Sequence, residues 1–454
     1  MGPWRRELRE LLAIGVPMGL TQLVQFSIHT VDVLMIGQLG PDALAGASLG
    51  LVILYAVFLL GFGPAMAVSP MASHALGANP DDVDDVRRSV RMSLWTIGVV
   101  VIGLSSVFFF SEEIALALGQ PAAPAALAEP YVLALAAGLP FMVGTMALRN
   151  FLAVIGHTRA PLLLIFLTTV LNACLNWLLI YGNWGAPRLG LVGAGIASSV
   201  SNLAGFALLL LYIQIQPESR RFRLFEGFLT PSWERLAEIV HLSWPISLTA
   251  AFEAMLFNAA VFLMGRIGVD EMAAYQVAIN VAALAFMMPL GLSMAGAVRV
   301  GLMEGARDRS AVRRAALISI LTCIGAIMVV AVPVMIAPRS VAGLYLDAMD
   351  PTSARVLELV ASFLPIAAAF ALFDATQVAA NQALRGLKDV RVPMFMTAFA
   401  YWGIGFPVSA GLGLGTSLGA VGVWWGLLLG LAAAALLLGA RLARRLRLIA
   451  NPSA

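Results

Sequence analysis

The chain consists of long apolar stretches separated by short turns that carry glycine, proline or arginine. Most stretches hold about 20 residues or more, enough for a helix to cross roughly 30 Å of hydrocarbon. A membrane β-barrel would instead show alternating segments of about ten residues, which this sequence lacks. The pattern therefore predicts an all-α integral membrane protein with twelve transmembrane helices, at about residues 11–36, 43–76, 89–110, 123–148, 160–182, 190–214, 237–265, 271–298, 312–336, 352–384, 391–412 and 418–440.

An internal repeat divides the chain into two similar halves. Residues 17–45 return at 245–273 with a constant shift of 228 and no gap. The pairs of identical residues are Pro17/Pro245, Leu20/Leu248, Thr21/Thr249, Val33/Val261, Gly37/Gly265, Gly40/Gly268, Asp42/Asp270 and Ala45/Ala273. Repeats of apolar segments are typical of secondary transporters, whose binding sites lie near the bilayer midplane.

The longest polar connection separates the two halves. It predicts an N-terminal lobe over residues 1–215, a cytoplasmic linker over 216–236 and a C-terminal lobe over 237–454, with six helices in each lobe. Most arginines fall in turns on one side of the predicted membrane, among them Arg385 near the end of the tenth helix. The positive-inside rule then places both termini in the cytoplasm, across a bacterial inner membrane.

Composition agrees with a membrane protein. Hydrophobic residues make up 60% of the chain and charged residues 12%, against about 25% charged in soluble domains. The net charge of +3 comes from these turns, so it does not indicate a nucleic-acid partner. We expect membrane lipids as partners and a monomer.

Three carboxylates stand out inside the predicted helices, namely Asp32, Glu253 and Asp374. Each costs about 2.5–3.5 kcal/mol to insert at a helix centre, so each is a candidate functional residue. The pattern shows no basic residue at comparable depth. The counter-charge is thus expected to be an exchangeable proton or Na⁺, with Glu253 and Asp374 as possible Na⁺ ligands. The alternative is a protonated carboxyl group bonded to a backbone carbonyl.

Asp32 has polar neighbours in the sequence pattern. His29 precedes it by about one turn, and Asn172 and Asn176 lie one turn apart on the predicted fifth helix. They could form a proton-switched or substrate-binding cluster, although a single histidine such as His29 is more often a hydrogen-bonded packing residue than a ligand. Gln25 aligns with Glu253 in the repeat, whereas Asp32 aligns with Ala260. The two lobes thus place their acids at different positions, and we expect them to have different functions.

Signatures of an enzyme are missing from the sequence. It contains no phosphate-binding glycine loop, no histidine cluster for a metal and no candidate catalytic triad. We therefore expect no enzymatic activity and no cofactor beyond the coupling ion, with transport driven by an ion gradient.

Three stretches resemble the multidrug and toxic-compound extrusion (MATE) family, in its NorM-like branch. They are VDVLMIGQLG with ALAGASLG, FEAMLFNAAVFLMGRIG with the segment AAYQVAINVAALAFMMPLGLSMAGAVRVG, and FDATQVAANQALRGLKDVRVPMFMTAFAYWGIGFPV. The resemblance covers nearly the whole chain. It implies two pseudo-symmetric six-helix lobes around a V-shaped cleft.

The resemblance also implies roles for individual residues. Glu253 and Asp374 match acids used for cation coupling, while Asp32, Asn172 and Asn176 match a first-lobe polar cluster. Gln276 matches a glutamine that faces the cavity. Two positions depart from the pattern, because Phe370 stands where some Na⁺-coupled members carry tyrosine and Tyr275 stands where histidine is usual. The choice between Na⁺ and H⁺ stays open.

These inferences predict a secondary active antiporter that exports organic cations and amphipathic drugs in exchange for Na⁺ or H⁺. One alternative is a lipid-linked precursor flippase of the same superfamily, for which we would expect several arginines inside the cavity. Another, of a different class, is a membrane-embedded enzyme.

Overall fold

The computed structural model describes residues 2–346 and 354–450, the last without its side chain. Within these residues, eleven helices are long and apolar enough to cross a membrane, and one bent pair of helices provides a twelfth span. The predicted number of spans is confirmed. In chain order the spans are α1 Pro3–Gly37, α2 Pro41–Ala78, α3 Val83–Ala117, α4 Ala122–Ala136 with Leu139–Val154, α5 Arg159–Tyr181, α6 Gly190–Ile215, α7 Trp233–Ile267, α8 Val269–Gly305, α9 Arg309–Ile336, α10 Ala354–Gly386, α11 Arg391–Gly415 and α12 Gly419–Ile449.

Several spans are irregular. The two segments of α4 meet at an angle of 44°. A π-helical turn, Gly98–Ile102, interrupts α3, and another, Phe399–Gly405, interrupts α11. Such turns leave backbone groups out of the regular ladder and are frequent at functional sites.

The predicted ends of most helices lie within a few residues of the observed ones, but the end of α12, predicted at 440 and observed at Ile449, and the start of α1 are wrong. The sequence pattern begins this helix at residue 11, whereas the structure begins it at Pro3. The polar first turns stay helical because Glu7 and Glu10 both bind Arg299 of α8, at 2.7 and 2.6 Å. For α10, the predicted first two residues lie outside the described part of the chain.

The chain forms two compact units. Unit 1 comprises residues 1–20 and 248–454, and unit 2 comprises residues 21–247. This division differs from the predicted lobes, because the first turns of α1 belong with the second half of the chain and the first turns of α7 belong with the first half. Helices of 35 residues are long enough for their two ends to pack in different units.

Unit 1 has an aromatic core between α7, α8, α10 and α12. The indole of Trp424 lies 5.4 Å from the ring of Tyr275 and 5.7 Å from the ring of Phe370, and all three side chains are buried. Small residues bring the helices close together, as at Gly386 of α10, where an added Cβ would lie 2.6 Å from the carbonyl of Ala297. Such close approaches are typical of helix packing in membranes.

Unit 2 includes the connection between α6 and α7, which binds along α3. Arg87, Arg91 and Trp95 of α3 donate hydrogen bonds to backbone carbonyls of this connection, with distances of 2.6–3.3 Å. Because the acceptors are backbone carbonyls, these bonds from α3 add to the hydrogen bonds that the connection makes within its own turns.

Candidate functional site

Asp32 lies in a polar cluster within unit 2. Asn176 of α5 donates a hydrogen bond of 2.6 Å to its carboxylate, and the same amide group donates to Asn172 at 3.2 Å. Asn172 in turn donates to Ser198 of α6 at 3.3 Å. The structure thus brings Asp32, Asn172 and Asn176 together. Ser198 was missed, since a serine in an apolar helix carries little signal in the sequence.

The hydrogen bonds bear on the protonated-carboxyl alternative at Asp32. An amide N–H is a donor, so the bonded oxygen of Asp32 acts as an acceptor. A protonated carboxyl group accepts the same bond through its carbonyl oxygen, so this bond is compatible with either protonation state. One further acceptor, Oδ1 of Asn176, is buried without a hydrogen-bond partner in the described part of the chain.

The Asp32 cluster borders a cavity of about 270 Å³ inside unit 2. Residues from α1, α2, α4, α5 and α6 line it. Gln25, His29 and Asp32 contribute one face of α1, in keeping with their spacing of three or four residues. His29 is exposed, with no hydrogen bond from its ring among the described residues. The cavity has room for a small organic molecule.

Arg149 of α4 lines this same cavity, and the sequence reasoning missed it. Its guanidinium donates to Gln22 of α1 at 3.1 Å and is half-buried. Arg149 lies away from the depth of Asp32, because its partner Gln22 precedes Asp32 on α1 by ten residues, or about 15 Å. The sequence signal was present, because Arg149 lies just past the end of the predicted fourth helix, at 148, while the structure continues that helix to Val154.

Glu253 of α7 and Asp374 of α10 approach each other in unit 1. Each lies within electrostatic range of the other, and Asp374 is buried. Gln377, one turn after Asp374, donates to its carboxylate at 3.1 Å. Its remaining atom, Oε1, is buried with no partner in the described residues. The site therefore holds two carboxylates and a free buried amide oxygen.

Two residues near this acid pair were not predicted to belong to it. Arg385 interacts electrostatically with Glu253, and the buried Tyr401, from the π-turn of α11, lies within electrostatic range of both acids. The positive-inside pattern assigns Arg385 to a cytoplasmic turn, and the structure places it in the last turn of α10, within electrostatic range of Glu253. The described residues show no ion pair between Arg385 and either acid.

The other predicted residues near this pair are Phe370, Tyr275 and Gln276. In the described part of the chain, they make no hydrogen bond to Glu253 or Asp374. Phe370 and Tyr275 are buried in the aromatic core, where the Tyr275 hydroxyl donates to the carbonyl of Phe257 at 3.4 Å. Gln276 is exposed on α8. Phe370 cannot supply an oxygen ligand near Asp374.

Neither the Asp32 cluster nor the acid pair provides a set of ligands typical of a metal site. Among the described residues, no group of three or more histidine, cysteine or acidic side chains could hold a metal ion. A monovalent cation at the acid pair would depend on two carboxylates and neutral oxygens, of which Gln377 Oε1 is one.

A family model described as MatE matches the chain twice, over residues 17–178 and 245–410. The two matches begin 228 residues apart, the shift of the internal repeat. A "Probable multidrug resistance protein NorM" of Rhizobium meliloti (strain 1021) is 42% identical over 453 residues, covering 99% of this chain and 96% of that protein. A protein of the same name from Mesorhizobium japonicum is 39% identical, with coverages of 99% and 96%.

Solved structures share the fold. The eukaryotic MATE transporter AtDTX14 superposes with a TM-score of 0.84 at 22% identity, covering 98% of this chain and 99% of that one. A structure titled as MATE in complex with MaL6 gives a TM-score of 0.88 at 19% identity, with coverages of 98% and 97%. At these identities the likeness concerns the fold, and it confirms the predicted twelve-helix architecture.

Proposed function

Since this chain belongs to the MATE family of multidrug efflux transporters, we propose that it is an antiporter that exports organic cations and amphipathic drugs in exchange for Na⁺ or H⁺. It is a multi-pass membrane protein and not an enzyme, and its substrates are small molecules. Two parts of this statement are our proposal, namely that Na⁺ or H⁺ drives transport and that the substrates are cationic or amphipathic. We further propose a bacterial inner-membrane location, cytoplasmic termini, a lipid environment and a monomeric state.

The acid pair of unit 1 carries the proposal. Two ionised carboxylates within electrostatic range repel each other, and the penalty is large where water is scarce. A proton or Na⁺ between Glu253 and Asp374 relieves that repulsion. The free Gln377 Oε1 supplies a neutral oxygen of the kind that a hard monovalent cation prefers. Arg385 offsets part of the charge of Glu253, so the pair holds its ion less tightly and can release it.

The cavity of unit 2 supports the proposed binding of an organic cation. It combines one carboxylate, that of Asp32, with mostly apolar walls, as expected for a site that binds an amphipathic cation. A proton on Asp32 would remove the negative charge that holds this cation. Export then follows from competition between the substrate and the coupling ion, and no covalent step is needed.

A flippase for a lipid-linked precursor would need several arginines in the cavity. The residues that line the cavity of unit 2 include one arginine, Arg149, and one acid, Asp32. Several cationic groups would be needed to hold a pyrophosphate, so this balance of charge favours a drug exporter.

The proposal is tested in proteoliposomes loaded with a fluorescent organic cation. Separate inward Na⁺ and H⁺ gradients are imposed, and dye efflux is recorded with wild-type protein and with Asp374→Asn. We expect one of the two gradients to accelerate efflux in the wild type and neither to do so in the variant. Efflux that ignores both gradients, or that responds equally in the variant, would refute ion coupling at this site.

A further inference from the structure

A second cavity of unit 2, the α3 cavity, lies where the first turns of α3 contact the connection between α6 and α7. Its volume is about 240 Å³, and no described residue lines both this cavity and the larger one beside Asp32. Helix α3 contributes Asp84, Arg87, Arg88 and Arg91 to its walls, and the connection contributes Glu226 and Thr230.

The three arginines of the α3 cavity project from one face of the helix. Arg91 follows Arg87 by four residues and Arg88 by three, which are the spacings of neighbours on a helix surface. Arg87 and Arg88 both lie within electrostatic range of Arg91. Like charges this close repel each other, and an anion between them would relieve the repulsion.

The acids of the cavity neutralise only one of these arginines. Arg87 forms ion pairs with Asp84 at 3.2 Å and with Glu226 at 3.7 Å. Glu226 is also shared with Arg223, at 3.4 Å. Arg88 and Arg91 have no ion pair within the described part of the chain. Two positive charges therefore stay uncompensated at the α3 cavity.

Arg91 is held in place at this cavity but not neutralised. Only 6% of its surface is exposed, and its Nη1 donates to the backbone carbonyls of Glu226 and Gly227 at 3.3 and 2.6 Å. Its Nε is buried with no hydrogen-bond partner among the described residues. Carbonyl groups orient the guanidinium but carry no net charge. A buried cation without a counter-charge is costly, and a bound anion lowers that cost.

The position of the cavity along α3 makes it accessible to anions. This span has 35 residues, or about 50 Å at 1.5 Å per residue, whereas the hydrocarbon core is about 30 Å thick. Its first turns hold acidic and basic residues, so this end of the helix extends beyond the hydrocarbon into the headgroup region. Lipid phosphates and dissolved anions both occur at that level.

We infer that the α3 cavity binds a phosphate group, whose oxygens accept hydrogen bonds from Arg88 and whose charge is balanced by Arg88 and Arg91. The planar guanidinium fork suits phosphate oxygens, and several guanidinium groups around one cavity suit an anion with more acceptor oxygens than a carboxylate has. An anionic lipid headgroup and a soluble phosphate ion both carry this group. A phosphate at this place stabilises the packing of the connection on α3, and this role is independent of the proposed drug efflux.

The test measures the melting temperature of the full-length protein in detergent with two probes. One is inorganic phosphate, added at an ionic strength kept constant with sodium chloride. The other is phosphatidylglycerol, which replaces phosphatidylcholine step by step in mixed micelles. Wild type, Arg88→Gln, Arg88→Lys and Arg220→Gln are compared. Arg88 is exposed, so its replacement should leave folding intact, and Arg220 is an exposed arginine of the connection that does not line the cavity.

We expect at least one probe to raise the melting temperature of the wild type. In Arg88→Gln the concentration that gives half of this rise should increase about tenfold, as for the loss of one charge-assisted contact. Arg88→Lys should recover part of the loss because it keeps the charge without the planar donor pair. Arg220→Gln should behave as the wild type, since a general effect of salt or lipid charge is the same in all variants.

The probe that acts identifies the source of the phosphate. A response to phosphatidylglycerol that depends on Arg88 assigns the cavity to a lipid headgroup, and such a response to inorganic phosphate assigns it to a soluble ion. A wild type that responds to neither probe overturns the inference, as does an Arg88→Gln protein whose response equals that of the wild type.

Discussion

Asn176 donates a hydrogen bond of 2.6 Å to the carboxylate of Asp32, although 144 residues separate the two in the sequence. The bond joins α5 to α1 at the edge of the unit 2 cavity and keeps the Asp32 oxygen as an acceptor. It therefore stabilises the ionised form of this carboxylate, which is the form that binds a cationic substrate.

Replacing Asp32 by Asn should reproduce its neutral, protonated state. In the wild type, cation affinity is expected to fall as the pH is lowered, because protonation of Asp32 removes the charge that attracts the substrate. Asp32→Asn should bind the cation about tenfold or more weakly, with little dependence on pH. Titration of a fluorescent cation between pH 5 and 8 measures both effects. A binding curve of Asp32→Asn that overlays the wild type would mean that the cluster has only a packing role.

Glu253→Gln and Asp374→Asn should each abolish ion-driven efflux, because either change leaves one ionisable carboxylate where two were available. Their effects on stability should differ. Glu253→Gln removes a charge that interacts with Arg385 and should lower the melting temperature more than Asp374→Asn does. Efflux and melting temperature are measured on the same preparations. Wild-type efflux by either variant across pH and Na⁺ concentrations would contradict the coupling site.

The connection between α6 and α7 offers a test of orientation. Leu229 lies in this connection with 81% of its surface exposed, so a cysteine there should react freely. In a background without Cys174 and Cys323, Leu229→Cys is expected to react with a membrane-impermeant maleimide only after the cytoplasmic side is opened. Labelling of intact cells would reverse the proposed topology.

The buried ion pair between Glu7 and Arg299 should stabilise unit 1. Both oxygens of Glu7 accept from the guanidinium, each at 2.7 Å, and removing one partner of a buried pair costs roughly 3–5 kcal/mol. Because Glu10 also binds Arg299, we expect the effect of Glu7→Ala to lie near the lower end of that range. The matched control is Glu358→Ala, which breaks an exposed pair with Arg339 and should cost under about 1 kcal/mol. Equal melting temperatures of the two variants would contradict this account.

Asp308 caps the start of α9 and provides a pH test outside the membrane. Its carboxylate accepts from the backbone N–H of Ala311 at 2.9 Å, and this bond, with that from Ser310, lowers the pKa of Asp308. A lowered pKa in the folded state means that the cap stabilises above the usual value of about 3.9 and that this contribution is lost as the pH falls through the folded pKa.

The matched variants for this cap are Asp308→Asn and Asp308→Ala. Asparagine keeps an acceptor but does not titrate, so Asp308→Asn should lose less stability than the wild type below about pH 4. Asp308→Ala should cost about 0.5–2 kcal/mol at neutral pH. Melting temperatures measured from pH 3 to 7 check both, and parallel profiles of the wild type and Asp308→Asn would rule out the cap as the source of the acid sensitivity.

The twelve spans and the internal repeat could be predicted because their signals are local. A helix in a bilayer must satisfy its own backbone groups and present apolar side chains over about 20 residues, so its sequence alone marks it. The repeat is likewise visible without structure, since Gly37 and Gly265 recur at the same shift as their neighbours. Acids such as Asp374 stand out because a charge inside an apolar stretch is expensive.

The partners of these acids depended on the tertiary structure. Only the resemblance to a family suggested that Asn176 lies beside Asp32, because no local pattern relates α5 to α1. Arg149 and Arg385 were missed for a related reason. An arginine near the end of a span looks like a topology signal, yet its long side chain can reach several ångströms into a cavity or towards a buried acid. Sequence periodicity fixes which residues share a helix face, whereas the packing of one helix on another decides which charges meet.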